Sequence, residues 1–388
     1  MKDPFSAIST ELWLLLACAG GDKIKTQKIL QKPVNWELFL HLVVHHRVCP
    51  LVYKIIKQLN DPAVPPSVVS RLRHIYQENV IQAISLAGET VRLSQCFESH
   101  GIRVLVLKGA PLALRLYGDI AGRPSRDIDI LVDPEQIMAA QEVLRQEGYC
   151  SELELTTRQL QILYRPDNLS HFVYEHSEKA IILELHRELG YGLAMPAQGD
   201  LQRLQVAGSA LSVLSDEKWL LYLMLHGVKH AWFRLRWLVD IARFIKAGAI
   251  DWGSLKVLVG RAGVQPLFHQ GLLLAERLLG APVPPEFQTD LQNDQAAWRT
   301  ACKAMRVCLA TAASEIKGSD GSKAKYLLYV YRTQMQAGWK NKLNYILHLF
   351  RPPLVDIKLV ALPDWLYPLY YVIRPFTWFG RRLRRLER

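Results

Sequence analysis

At 388 residues the chain is long enough for two or three packed units. Half of it is apolar and 22% is charged, a balance that excludes a disordered chain and fits a sizeable core. The formal net charge is +12, and residues 316–388 concentrate it, with 14 Lys and Arg against 4 Asp and Glu. The six cysteines (Cys18, Cys49, Cys96, Cys150, Cys302 and Cys308) form no C-x-x-C pair. That argues against a disulfide scaffold or a zinc ribbon and for reduced thiols in the cytoplasm. Met1-Lys2-Asp3-Pro4 lacks the order of a cleavable signal, and no apolar run reaches the ~18 residues of a membrane span.

In chain order, residues 1–100 read as helices. Asn35–Leu59 carries apolar residues at helical intervals, and a long helix runs from Pro66 to about His100, with Gly101 as its stop. Ile102–Leu107 is a strand, Lys108-Gly109 a turn, and a short helix occupies 110–117. Asp127–Val132 is a second strand, followed by an amphipathic helix over Pro134–Glu147. His171–His176 and Ala180–His186 alternate as paired strands about Ser177-Glu178-Lys179. From Ser215 helices return, over 216–230, 236–247, 252–262, 265–279 and 295–314, and Lys317–Lys325 is the expected linker. The expected fold is α+β, with a small mixed sheet flanked by helical regions. Its expected parts are an N-terminal helical region (1–100), the core (101–205), a helical domain packing on the core (206–316) and a basic aromatic C-terminal region (317–388).

The chemistry concentrates where Val104-Leu105-Val106-Leu107-Lys108-Gly109 leads to Asp127-Ile128-Asp129-Ile130. Alternate strand residues share a face, so Asp127 and Asp129 emerge together. Two adjacent carboxylates repel unless a cation or shared proton lies between them. A divalent ion holding a nucleotide's phosphates suits hard oxygen ligands, which points to phosphoryl or nucleotidyl transfer. Arg123 and Arg126 precede the pair and suit a triphosphate, Arg123 with the freedom of a loop.

On these residues the chain resembles the polymerase-beta type nucleotidyltransferase superfamily and, more narrowly, an uncharacterised bacterial nucleotidyltransferase-like family within it. The shared pattern is a strand ending in Gly109, a helix, Asp127-x-Asp129, and a third acid on a later strand. A His–Lys-His–Trp–Leu–Asp pattern follows, here His226, Lys229, His230, Trp232, Leu235, Trp237 and Asp240. The resemblance covers roughly residues 100–245. It implies Mg²⁺ or Mn²⁺ held by Asp127, Asp129 and Glu184, the last chosen over Glu188 and Asp133 because Ile182, Glu184 and His186 alternate. It also implies an NTP substrate, ATP among the candidates, and a nucleotide site of Lys108, Gly109, Arg123, Arg126, Lys229 and His230. Two departures stand out: Ala110 and Pro111 replace the usual Ser after the turn glycine, and the Gly-to-Asp spacing is longer.

The expected function is therefore metal-dependent transfer of a nucleoside monophosphate from an NTP to an unidentified hydroxyl. The alternatives are a catalytically degenerate nucleotide-binding scaffold at a membrane surface, or a nucleic-acid modifying enzyme. The aromatic, basic run 351–388 suits peripheral contact with an anionic membrane, at the inner face for a cytoplasmic protein. Nucleic acid is the less favoured partner, because no RNA-binding module is recognisable.

Overall fold

The computed structural model describes residues 4–151, 171–191, 193, 195–316 and 322–335, with 343, 362–363, 366, 369–374 and 376–377. It is an α+β fold. One compact unit takes in Met1–Ser151 and Ser170–Leu328, and a second takes in 152–169 and 329–388.

Five helices open the chain: α1 Thr10–Gly20, α2 Lys23–Leu30, α3 Trp36–His46, α4 Cys49–Leu59 and α5 Pro66–Ser99. Side chains cap the first three. Ser9, Asp22 and Asn35 accept from the N–H groups of Leu12, Lys25 and Leu38, which would otherwise lack partners. The helical pattern over 35–59 is not one helix but two. Arg47 takes a left-handed conformation (φ 55°), and Pro50 sits in the first turn of α4, where its missing N–H does no harm. The 34-residue α5 packs on β1 and β2. Midway along it, buried Glu89 accepts from Arg92, Tyr149 and Lys179, tying the helix to the far edge of the sheet. Burial alone would raise the Glu89 pKa, but these partners bring it down to about 2.

The sheet has the order β1 (Val104–Val106), β2 (Asp127–Val132), β5 (Ile182–His186), β4 (His171–His176), β3 (Tyr149–Ser151). β2 and β5 run parallel, and the other neighbours run antiparallel. In register, Asp129 faces Glu184 across the parallel pair, and Glu184 faces Val173 across the next. The opposite face is apolar and closed, with Ile128, Ile130, Leu183, Leu185 and Phe172 all buried. The sheet thus has one greasy face for packing and one polar face for chemistry.

A second, two-stranded sheet pairs β6 (Leu201–Val206) with β7 (Ser209–Leu214), a stretch for which no element was expected before the helices that return at Ser215. Ala207 and Gly208 both have positive φ (46° and 82°), the two-residue turn that matches strand twist. Ala in place of Asn or Asp at its first position hides that turn from sequence reading.

The remaining helices are α6 Ala110–Tyr117, α7 Ile137–Gln146, α8 Asp216–Lys229, α9 Leu235–Ala247, α10 Trp252–Arg261, α11 Gln265–Leu279, α12 Pro285–Asn293, α13 Gln295–Ile316 and α14 Ser322–Gln334. Helix α12 was not expected. Of the expected linker, 317–321 lie outside the described residues and Ser322–Lys325 already belong to α14. A Cβ on Gly227 would lie 2.2 Å from the Trp232 ring, and one on Gly271 would lie 2.2 Å from Met224 Sδ. Both glycines make room for Trp232, whose Nε1 donates to Gln270 at 3.0 Å.

Most of the aromatic run 351–388 lies outside the described residues. Within the second unit, the Leu362 N–H donates to the Tyr370 hydroxyl at 2.9 Å. Among the described residues no helix is long and apolar enough to cross a membrane.

Candidate active site

The turn after β1 sets the site's floor. The Leu107 N–H donates to the Asp129 carbonyl at 3.0 Å, and the indole of Trp219 donates to the Leu107 carbonyl at 2.6 Å. Gly109 then adopts φ 72° and ψ −139°, a backbone state that an L side chain rarely takes, and sends the chain into α6. Lys108, held between these anchors, turns inward, and its Nζ lies 2.8 Å from Asp129 Oδ1.

On the polar face of β2 and β5, ligand atoms of Asp129, Glu184 and His186 lie within 4.8 Å of one another. His186 Nε2 is 3.2 Å from Asp129 Oδ1 and 3.3 Å from Glu184 Oε2, so one imidazole N–H is shared between two carboxylates. His171, on β4, stacks on His186 with ring centroids 5.0 Å apart, and its Nε2 is 3.9 Å from Glu184 Oε2. Asp127 stands at the strand's start, half-buried and outside this ligand group. Asp129 is 1% exposed and Glu184 26%, so the site opens on the Glu184 side.

The charges explain one another. Burial would raise the Asp129 carboxyl, but Lys108 and His186 hold it well below the usual range. Burial would likewise lower Lys108, and the Asp129 carboxylate keeps it raised and charged. Burial, then the neighbouring Asp129 charge, pushes Asp127 up. His186 is raised against the effect of burial by its bonds to Asp129 and Glu184. Burial and that charged neighbour press His171 down to about 4. The two stacked imidazoles are therefore pushed in opposite directions, His186 towards the protonated form and His171 towards the neutral one.

The other expected nucleotide residues are placed differently. Arg123 is 2% exposed and its Nε donates to Asp240 Oδ2 at 2.9 Å, rather than lying loose in a loop. Arg126 is exposed. Lys229 is exposed at the end of α8, and its charge reaches His171. His230 is half-buried among aromatic rings, with His226 at 4.7 Å and Trp237 at 5.1 Å. Sequence reasoning left His186 out of the metal-ligating set. Its position two residues after Glu184, on the same strand face, had pointed only to orienting the acceptor or a metal-bound water.

Two carboxylates and an imidazole converge here, and Asp129 Oδ2 is a buried oxygen with no hydrogen-bond partner among the described residues. A divalent cation satisfies such an oxygen, so the donor set fits a metal. Residues 32–280 match the model of a family described as uncharacterised nucleotidyltransferase. The chain belongs to this family. Its reaction class accounts for acids gathered beside a Lys-Gly turn. Comparison with curated proteins gave no match, and comparison with solved structures gave none.

Proposed function

We propose that the chain is a metal-dependent nucleotidyltransferase that moves a nucleoside monophosphate from an NTP, such as ATP, to a hydroxyl on an acceptor still to be identified. The observation that carries this reading is the convergence of Asp129, Glu184 and His186 on the strand pair next to Gly109. The order of elements supports a core of the polymerase-beta type. Asp129, Glu184 and His186 would hold the divalent ion, with Asp127 beside them. When bound, that ion neutralises phosphate charge and activates the attacking hydroxyl. Oxygen donors suit Mg²⁺ and Mn²⁺, and the imidazole nitrogen favours Mn²⁺.

The remaining chemistry belongs to the chain. Glu184, the most open of the three, is suited to take the proton of the acceptor hydroxyl. Asp127, half-buried and with its pKa raised by burial, stands on the same strand two residues before Asp129. Lys108 and the N–H groups at the start of α6 are candidates for a phosphate, in place of the hydroxyl that Ala110 lacks. Gly109 leaves open space where a side chain would stand. Arg123, Arg126, Lys229 and His230 would complete the nucleotide site, and the reaction would run in the cytoplasm. Each NTP, labelled on the α-phosphate, is incubated with protein, Mn²⁺ or Mg²⁺ and cell extract. Labelled acceptor that disappears with Glu184→Gln supports the reading, and no labelled product from any NTP with folded protein overturns it.

A second reading has its own support. Leu369, Tyr371, Val372 and Phe376 are exposed by 42%, 45%, 62% and 74%, in a segment rich in Arg and aromatics. Such a surface suits peripheral attachment to an anionic membrane, where the protein would act on, or scaffold, a membrane-bound acceptor. Deleting 351–388 should release the protein from anionic vesicles while nucleotide binding persists.

A further inference from the structure

Three loops distant in sequence meet beside Asp127. His45 Nε2 lies 3.2 Å from the Phe233 carbonyl, and the Leu235 N–H donates to His46 Nδ1 at 3.4 Å. Arg234 donates to the His45 carbonyl, and Arg236 donates to the Pro124 carbonyl in the loop that leads into β2. The end of α3, the turn before α9 and the loop before Asp127 are thus bonded into one corner. Both turns hold left-handed non-glycine residues, Arg47 (φ 55°) and Ala231-Trp232 (φ 50° and 53°). Such states are unfavourable for residues with a side chain and persist where surrounding structure demands them.

This corner gathers cations. Arg47 feels Arg234, Arg126 and Arg123, and Arg236 feels Arg123 and Arg47. Asp127 and Asp240 are the acids acting on them, and Asp240 is already engaged by Arg123 Nε and by the Tyr117 hydroxyl at 2.6 Å. Burial and the neighbouring charges press Arg236 down to about 9 and Arg47 to about 10. Arginine N–H groups are also left over. Arg47 Nε, Arg236 Nε and both Nη atoms of Arg123 are buried with no hydrogen-bond partner among the described residues. Arg236 is 7% exposed. Like charges held together with unused donors cost free energy unless an anion joins them. The guanidinium fork matches phosphate oxygens.

We propose that Arg47 and Arg236, with Arg126 at the rim and Arg123 behind, form an oligophosphate subsite that takes the β- and γ-phosphates of the nucleotide; this rests on the nucleotidyltransferase reading above. The corner borders Asp127, which starts the strand that carries Asp129. It supplies the phosphate contact that the chain gives up by having Ala110 after the turn glycine. The N-terminal helices then help build the active site, since the turn that follows α3 contributes Arg47.

The test is calorimetric titration of the full chain with sodium tripolyphosphate, in EDTA so that no metal contributes. Wild-type protein should bind, with affinity that falls as salt rises. Arg47→Gln and Arg236→Gln should each weaken binding at least tenfold, whereas Arg145→Gln, an exposed arginine paired with Glu142, should leave it unchanged. If Arg236→Gln fails to fold by circular dichroism, Arg47→Gln and Arg126→Gln carry the test. Absence of binding by wild-type protein, or equal loss with Arg145→Gln, overturns the proposal. Transfer assays run in parallel separate the two claims. Triphosphate binding that depends on Arg47, without transfer from any NTP, sinks the reaction but keeps the subsite. Transfer that survives in Arg47→Gln with unchanged tripolyphosphate affinity does the reverse.

Discussion

Lys108 stands where a cation is needed, and its partnership with Asp129 makes a stability prediction that does not depend on catalysis. The Nζ–Oδ1 distance is 2.8 Å, and the two side chains are 9% and 1% exposed. Removing one member of a buried pair leaves the other as an uncompensated charge, which costs about 3–5 kcal/mol. Asp129→Asn keeps the shape but strands the ammonium, so unfolding in urea at pH 7 should show a loss of about that size. Lys108→Met alone should cost less, because His186 still donates to Asp129. The double variant should be no worse than Asp129→Asn, giving a coupling of about 2 kcal/mol or more. The Asp129 pKa is depressed in the folded protein, so its contribution is fully present above the ordinary carboxylate range and lost only as pH falls through the depressed value. The same coupling should therefore appear at pH 5. Losses that simply add within ~0.5 kcal/mol would refute the pairing, and would return Lys108 to a role as a waiting phosphate ligand.

Other expectations follow from neighbouring groups. A metal requires a neutral His186 Nε2, and the pKa of His186 is raised; Mn²⁺ affinity, read by electron paramagnetic resonance, should climb as pH rises through that value and be flatter in His186→Asn. His171 is held at about 4, against an ordinary value of 6.5. Between those values the unfolded chain binds a proton that the folded one refuses, so stability should fall as pH drops from 6.5 to 4, and His171→Asn should flatten the urea midpoint across that window. Asp240 is fully buried between Arg123 and Tyr117. Asp240→Ala should cost about 3–5 kcal/mol and Tyr117→Phe about 1, both measured by urea unfolding; equal costs would mean that the Arg123 pair is not what holds this corner.

The parts of the fold legible in sequence are those written in local pattern. Helix α5 was readable because Pro66 opens it and Gly101 follows its end. The β4–β5 pair was readable because alternation about Ser177-Glu178-Lys179 survives in both strands. The break at Arg47 was not, since Arg is an ordinary helix former and its left-handed turn is imposed by contacts of His45 and His46 with residues near 234. The β6–β7 hairpin was missed for a similar reason, as Ala207 holds a positive φ that its side chain does not favour. Local propensity lost to tertiary contact in both places.

The same division governs the site. Asp127 and Asp129 announce themselves because carboxylates inside an apolar strand need an explanation, and Glu184 came from resemblance supported by alternation. Their convergence depends on β2 pairing with β5 in parallel register, which no spacing reveals. The arginine corner is further out of reach, because His45 and Phe233 touch across 188 positions. No window of sequence contains Arg47, Arg123 and Arg236 together. A buried cluster of like charges is costly to any fold, so its presence beside Asp127 is harder to attribute to packing than a single arginine would be. That cost makes the corner informative. Helix α3 and the turn before α9 hold strained backbone to assemble it, and an anion is the ligand that would offset both the strain and the repulsion.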